Sequence, residues 1–107
     1  MVSEKEIEAY LRIRIKKLGG IAYKFTSPGN DGVPDRLVLL PDGDVSFVEL
    51  KAPGKKPSKL QTVQINRIKK LGFEVHVIDS KDLVDEIYPL IDDIDEMYPL
   101  EGDRVEI

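Results

Sequence analysis

Cysteine is absent from the 107-residue chain, so neither a structural disulfide nor a thiolate metal site contributes to its fold or chemistry. Long apolar runs are absent as well. No segment approaches the ~18 apolar residues of a membrane span, and the N-terminal MVSEKEIEAY lacks the apolar run of a signal peptide. We therefore expect a cytoplasmic, intracellular protein that works without a membrane.

Positive charge is in the minority overall, with a formal net charge of −4, but it is unevenly distributed. Residues 85–107 hold nine acids and one base, which leaves 15 bases and 11 acids, an excess of four positive charges, in residues 1–84. No acid occurs between residues 51 and 70, where the bases are Lys51, Lys55, Lys56, Lys59, Arg67, Lys69 and Lys70. This distribution predicts a local basic surface on an acidic protein.

The length fits one folded domain, and the periodicities alternate between helix and strand. A capping box at Ser3 and Glu6 predicts a first helix that ends at Gly19-Gly20. Strands are predicted at 21–25, 36–41 and 45–51, a second helix after Ser58, a strand at 74–78 and a last helix at 81–88. The fold class is therefore α/β with a mixed sheet, in the order α-β-β-β-α-β followed by a C-terminal helix.

The C-terminal part is set apart by its acidity. DEIYPLIDD at 85–93 and DEMYPLEGD at 95–103 match at six of nine positions, and a proline in each copy interrupts any helix. We divide the chain into a core at 1–84 and an acidic helix end and tail at 85–107. The tail is expected to dock on a surface or contact a partner through Tyr88, Leu90, Met97, Tyr98 and Leu100.

The segment at 32–51, GVPDRLVLLPDGDVSFVELK, predicts a β-hairpin that carries isolated charges. In its second arm Phe47, Glu49 and Lys51 alternate onto one face. Thirteen residues separate Asp35 from Glu49, which is enough for a strand, a tight turn and a return. Asp35 should therefore approach Glu49 and Lys51.

Two converging carboxylates suit a hard cation such as Mg²⁺, which prefers oxygen ligands and keeps waters or substrate phosphates in its shell. A neighbouring lysine could position or deprotonate an attacking water, or offset transition-state charge. Each piece also has a plainer interpretation: Pro34-Asp35 as a turn, and Glu49 with Lys51 as a solvated pair. On the first helix, Glu4 and Glu8 could simply favour the positive helix N-terminus.

The combination of Glu4, G-V-P-D at 32–35, E-L-K at 49–51 and P-S-K-L-Q at 57–61 resembles the VRR-NUC domain of the PD-(D/E)XK nuclease superfamily. The resemblance runs from about Glu4 to Asp79 and implies a restriction-endonuclease-like fold. It implies that Asp35 and Glu49 ligate Mg²⁺ or Mn²⁺ with help from the backbone carbonyl of Leu50. Lys51 would be the catalytic lysine and Glu4 an additional acid near the metal.

Gln61 would be a polar group turned toward the site. The same residue occupies the capping-box position after Ser58, and we expect one side chain not to serve both purposes easily. The sequence leaves the two roles of Gln61 open.

Compact members of this family, including virus-encoded ones that act in a host cell, resemble homodimeric enzymes that cut four-way DNA junctions. The expected activity is a metal-dependent, structure-selective DNA endonuclease without an organic cofactor. A flap or nicking endonuclease, or a module that binds branched DNA without cutting it, are the alternatives. The bases expected to contact phosphates are Lys55, Lys56, Lys59, Arg67, Lys69 and Lys70.

Overall fold

The structure, a computed structural model, describes residues 1–90. Its elements follow the predicted order: α1 (Glu4–Lys17), β1 (Ile21–Lys24), β2 (Arg36–Leu40), β3 (Asp44–Leu50), α2 (Lys59–Lys70), β4 (Glu74–Ile78) and α3 (Lys81–Ile87). Both predicted capping boxes are formed, at the starts of α1 and α2. Within residues 1–90 no helix is long and apolar enough to cross a bilayer.

The four strands form one mixed sheet in the order β1-β2-β3-β4. β1, β2 and β3 are antiparallel neighbours, and β4 runs parallel to β3 because α2 carries the chain across between them. The predicted hairpin turn is a short 3₁₀ segment, Pro41–Gly43, in which Asp42 and Gly43 have φ of 71° and 77°. The α/β class with a mixed sheet, predicted from the sequence, is confirmed.

The core lies between the sheet and the two helices α1 and α3. Three isoleucine and leucine side chains of α1, Ile7, Leu11 and Ile15, are completely buried there. The alternation in β3 is as predicted, since Val48 and Leu50 belong to this core. Phe47 and Glu49 consequently lie on the opposite face of the sheet, on the side of α2.

The packed fold extends beyond residue 84, the boundary expected from the charge distribution. Tyr88 is buried, and its hydroxyl lies 2.7 Å from Ser46 Oγ. Arg14 ties α1 to the same region, with Nη2 2.7 Å from Asp85 Oδ1 and Nη1 donating to the carbonyl of Tyr88 at 2.8 Å. Tyr88 is therefore part of the core instead of a group available for docking on a partner.

The rest of the predicted acidic tail, from residue 91 to residue 107, lies outside the described residues. The predicted contacts of Met97, Tyr98 and Leu100 lie there too.

Candidate active site

The β2–β3 hairpin brings Asp35 to the end of β3, as its spacing predicts. The carboxylate Oδ2 of Asp35 accepts the backbone N–H of Leu50 at 2.8 Å. The carbonyl of Asp35 accepts the N–H of Phe25 at 2.8 Å, which extends the pairing of β1 and β2 by one step. Because both its side chain and its main chain are held, Asp35 keeps one position next to the end of β3.

Glu49 is the most unusual group in the site, because a carboxylate with only 1% of its residue surface exposed lies in the middle of a sheet. Its Oε2 accepts a hydrogen bond from Gln61 Nε2 at 2.7 Å and lies 3.5 Å from Lys51 Nζ. Its Oε1 is buried and has no hydrogen-bond partner among residues 1–90. A buried carboxylate oxygen without a donor is costly, and it is the kind of atom that a cation would satisfy.

The environment of Glu49 disfavours its charged form. The pKa of Glu49 is raised from an ordinary 4.5 to about 7, chiefly by burial and next by the nearby charge of Asp35. Lys51 opposes the increase in this pKa, and Glu4 adds a smaller contribution that raises it. The site therefore holds a carboxyl group that is near half-ionisation at neutral pH and would gain from an added positive charge.

Lys51 leaves β3 on the same side as Glu49, as predicted. Its backbone N–H donates to the carbonyl of Ile78 at 3.0 Å, so the strand pairing continues to this residue. The side chain is mostly buried, with 18% exposed, and its ammonium group faces Glu49. An ammonium held this close to Glu49 can contact a water or phosphate oxygen that enters the site.

Gln61 both caps α2 and reaches the site. Its Oε1 accepts the backbone N–H of Ser58 at 2.8 Å, which completes the capping box, while its Nε2 donates to Glu49. The expectation that one side chain would not serve both purposes was wrong, because the acceptor and donor ends of an amide point in different directions. The start of α2 is thereby fixed relative to Glu49.

The two acids of α1 have different surroundings. Glu4, in the first turn, is exposed and close enough to Glu49 for its charge to affect that pKa. Glu8, one turn later, instead pairs with Arg36, whose Nη2 and Nε lie 2.6 and 2.9 Å from Glu8 Oε2. Arg36 Nη1 also donates to the carbonyl of Ala22 at 3.1 Å.

Arg36 was missed by sequence reasoning. The available signal was a charged residue directly after Asp35, at the start of an otherwise apolar strand. By joining α1, β1 and β2, the arginine fixes the end of the sheet at which Asp35 lies.

The donor set fits a hard divalent cation. Asp35 and Glu49 provide two carboxylates. Leu50 follows Glu49 in the chain, and its backbone N–H donates to Asp35 Oδ2. In the described part of the chain no cluster of three or more His, Cys, Asp or Glu side chains has metal-binding geometry. Two protein carboxylates completed by waters and substrate oxygens are typical of Mg²⁺ and leave room for a phosphodiester.

The predicted DNA contacts lie on the loop and helix that follow Lys51. All six of these bases are exposed: Lys55, Lys56, Lys59, Arg67, Lys69 and Lys70. None of them forms a salt bridge within residues 1–90. The loop is held near the sheet because Gly54 N–H donates to Asp79 Oδ2 at 3.2 Å.

No family model matches the chain. A protein described as "Putative nuclease p44", from Acyrthosiphon pisum secondary endosymbiont phage 1, is 53% identical over 83 residues, which are 78% of this chain and 89% of that protein. A solved structure described as a VRR_NUC domain has a TM-score of 0.76 and 35% identity, covering 81% of this chain and 95% of that one.

The chain belongs to the VRR-NUC family of nucleases. The resemblance predicted from the sequence is therefore confirmed, together with its PD-(D/E)XK-like fold. In this fold Asp35, Glu49 and Lys51 lie at one end of the sheet.

Proposed function

We propose that this VRR-NUC protein is a metal-dependent, structure-selective DNA endonuclease that acts as a homodimer, with four-way junctions as its leading substrate. The observation that carries the proposal is the buried carboxylate of Glu49. It has one oxygen without a donor, a pKa raised to about 7, and Asp35 and Lys51 beside it. Carboxyl groups with strongly perturbed pKa values cluster at functional sites.

The reaction is hydrolysis of a phosphodiester, in which a water oxygen attacks phosphorus and one P–O bond to the sugar breaks. A bound Mg²⁺ or Mn²⁺, held by Asp35, Glu49 and the carbonyl of Leu50, would polarise the phosphate and acidify a bound water. Lys51 would orient the attacking water or stabilise the extra negative charge on phosphorus. Gln61 holds the Glu49 carboxylate in place, and the Leu50 amide does the same for Asp35.

DNA would approach along the exposed bases of residues 55–70. Contacts from lysine and arginine to phosphates do not depend on base identity, so they suit recognition of DNA shape. A homodimer follows from the chemistry, because one small domain has one site and symmetric cutting of two strands needs two. Selectivity for four-way junctions rests on the likeness to compact VRR-NUC enzymes.

The decisive experiment incubates the protein with labelled four-way junctions, flaps and linear duplexes in Mg²⁺ or Mn²⁺. We expect paired, symmetric cuts in the junction, and loss of cutting in Lys51→Ala and Glu49→Gln. Cleavage of the flap substrates alone, or single-strand nicks in the duplex, would favour the alternative of a flap or nicking endonuclease. If the wild type binds branched DNA without cutting any substrate in either metal, the protein is a binding module and the enzymatic proposal is wrong.

A further inference from the structure

The loop between β1 and β2 ends in Asp35 and contacts the first two turns of α2. Gly32 lies against the first turn: a Cβ atom at this glycine would be 3.0 Å from Leu60 Cγ and 3.1 Å from the backbone C and O of the same leucine. One turn further along α2, Gln64 Nε2 donates to the carbonyl of Asp31 at 3.2 Å. We call these contacts of residues 31 and 32 with Leu60 and Gln64 the loop–helix contact.

Little of the chain between Gly32 and Asp35 is free to adjust. Pro34 has a fixed φ, and its side chain is fully buried. Val33 is restricted to extended geometry because a proline follows it. Asp35 in turn is held against the end of β3 by its hydrogen bond with Leu50. A displacement of Gly32 relative to α2 therefore reaches the carboxylate of Asp35 through a stiff segment.

The same helix also holds the other acid of the site. Gln61 donates to Glu49 Oε2 at 2.7 Å. Because Gln61 and Gln64 are three residues apart, their side chains lie on one face of α2. One amide acts on the Glu49 side chain and the other on the backbone that leads into Asp35. The position of each carboxylate relative to the other thus depends on α2.

We propose that Gly32 and Gln64 are positioning residues that place Asp35 for the metal through the loop–helix contact. The inference rests on the proposed function, in which Asp35 and Glu49 hold Mg²⁺ or Mn²⁺. In this role neither positioning residue ligates the metal. Gly32 allows the close approach of the loop to α2 because it has no side chain, and the amide of Gln64 fixes the loop backbone one residue earlier.

Gly29 provides a matched control within the same loop. Its φ is 82°, close to the 87° of Gly32, so alanine incurs similar backbone strain at both positions. A Cβ atom at Gly29 meets nothing within 4 Å, whereas one at Gly32 meets Leu60. The difference between Gly32→Ala and Gly29→Ala therefore isolates the contact with α2 from the cost of a left-handed backbone.

The test measures Mn²⁺ binding to the full chain without DNA by calorimetry, in variants that circular dichroism shows to be folded. We expect the dissociation constant to be about tenfold higher in Gly32→Ala than in Gly29→Ala. Gln64→Leu keeps a good helix former but removes the donor, and it should raise the dissociation constant about two- to tenfold. Asn66→Leu, at an exposed position of the same helix, should leave it unchanged.

Cleavage of a labelled four-way junction over a series of Mn²⁺ concentrations separates positioning from a direct part in the reaction. The half-saturating Mn²⁺ concentration should rise in Gly32→Ala and Gln64→Leu in parallel with the dissociation constant. The cleavage rate at saturating metal should return to that of the respective control, because the ligands themselves are intact. DNA affinity without metal should be the same in all variants.

Equal Mn²⁺ dissociation constants for Gly32→Ala and Gly29→Ala, or for Gln64→Leu and the wild type, would overturn the inference. If Gly32→Ala does not fold, Gln64→Leu decides alone. A wild type that binds no Mn²⁺ overturns the inference together with the metal dependence of the proposed function. A wild type that binds Mn²⁺ but cuts no DNA contradicts the proposed function only, and the comparison of dissociation constants still decides the inference.

Discussion

The side-chain amide of Gln61 joins the first turn of α2 to the buried carboxylate of Glu49, with Nε2 2.7 Å from Oε2. The other end of the same amide closes the capping box with Ser58. The position of a helix and the orientation of a candidate metal ligand thus depend on one side chain.

Gln61→Glu separates these two roles. Glutamate is a standard capping-box residue, so α2 should keep its start and the protein its stability. The variant loses the donor to Glu49 and places another negative charge beside it, so we expect cleavage to fall by about 10- to 100-fold. Thermal melting and junction cleavage measure the two effects. Gln61→Ala should lose cleavage and stability together, and a fully active Gln61→Glu would show that the contact with Glu49 is dispensable.

Metal binding should depend on pH near neutrality. The proposed metal site requires Glu49 to be ionised, and the pKa of Glu49 is about 7, so protons should compete with the metal below that value. We expect Mn²⁺ affinity to drop about tenfold between pH 8 and pH 6 and binding to release a proton. Calorimetry in buffers of different ionisation enthalpy measures both. An affinity that is flat over this range would contradict the assignment of Glu49 as a ligand.

The free energy of unfolding of the metal-free protein should fall as the pH rises, whereas the metal affinity should increase. A carboxyl group whose pKa is raised in the folded state stabilises the fold below its unfolded pKa, near 4.5, and this contribution is lost as pH rises through about 7. Glu49→Gln should therefore gain stability relative to the wild type between pH 5 and pH 8, by at most about 3 kcal/mol. Urea unfolding at the two pH values tests this, and an equal difference at both would contradict it.

Arg36 should matter for the fold and, through Asp35, for the site. Arg36→Gln leaves Glu8 without its partner and removes a donor to Ala22, which we expect to cost about 1–3 kcal/mol of unfolding free energy. Arg36→Lys should recover only part of this, since lysine cannot reproduce the forked geometry. Arg12, an exposed arginine on α1 without a salt bridge in the described residues, provides the control Arg12→Gln. Similar losses in both glutamine variants would contradict a specific role of Arg36.

The exposed bases after Lys51 should govern the salt dependence of DNA binding. Lys59→Gln and Lys70→Gln should each weaken binding for all sequences and reduce the slope of log affinity against log salt by about one. Lys16→Gln on α1 is the control, because that lysine is exposed but lies outside the segment 51–70. Fluorescence anisotropy over a salt series measures the slopes, and equal slopes for the three variants would remove α2 from the DNA contact surface.

Most of the site could be predicted because it depends on local pairing. A hairpin of fixed length places Asp35 opposite the end of β3, and the alternation in β3 then orients Glu49 and Lys51. The remainder depends on contacts between distant segments, which a sequence pattern does not encode. The pairing of Arg36 with Glu8 and the burial of Tyr88 arise only when α1 and α3 pack on the sheet.

The hydrogen bond between Tyr88 and Ser46 has a consequence for biosynthesis. The hydroxyl of Ser46 is buried on the helix-covered side of the sheet, and its partner is made 42 residues later. Arg14 likewise donates to the carbonyl of Tyr88, across 74 residues. A nascent chain can therefore complete its hairpin early, but its core is finished only after Tyr88 has emerged from the ribosome.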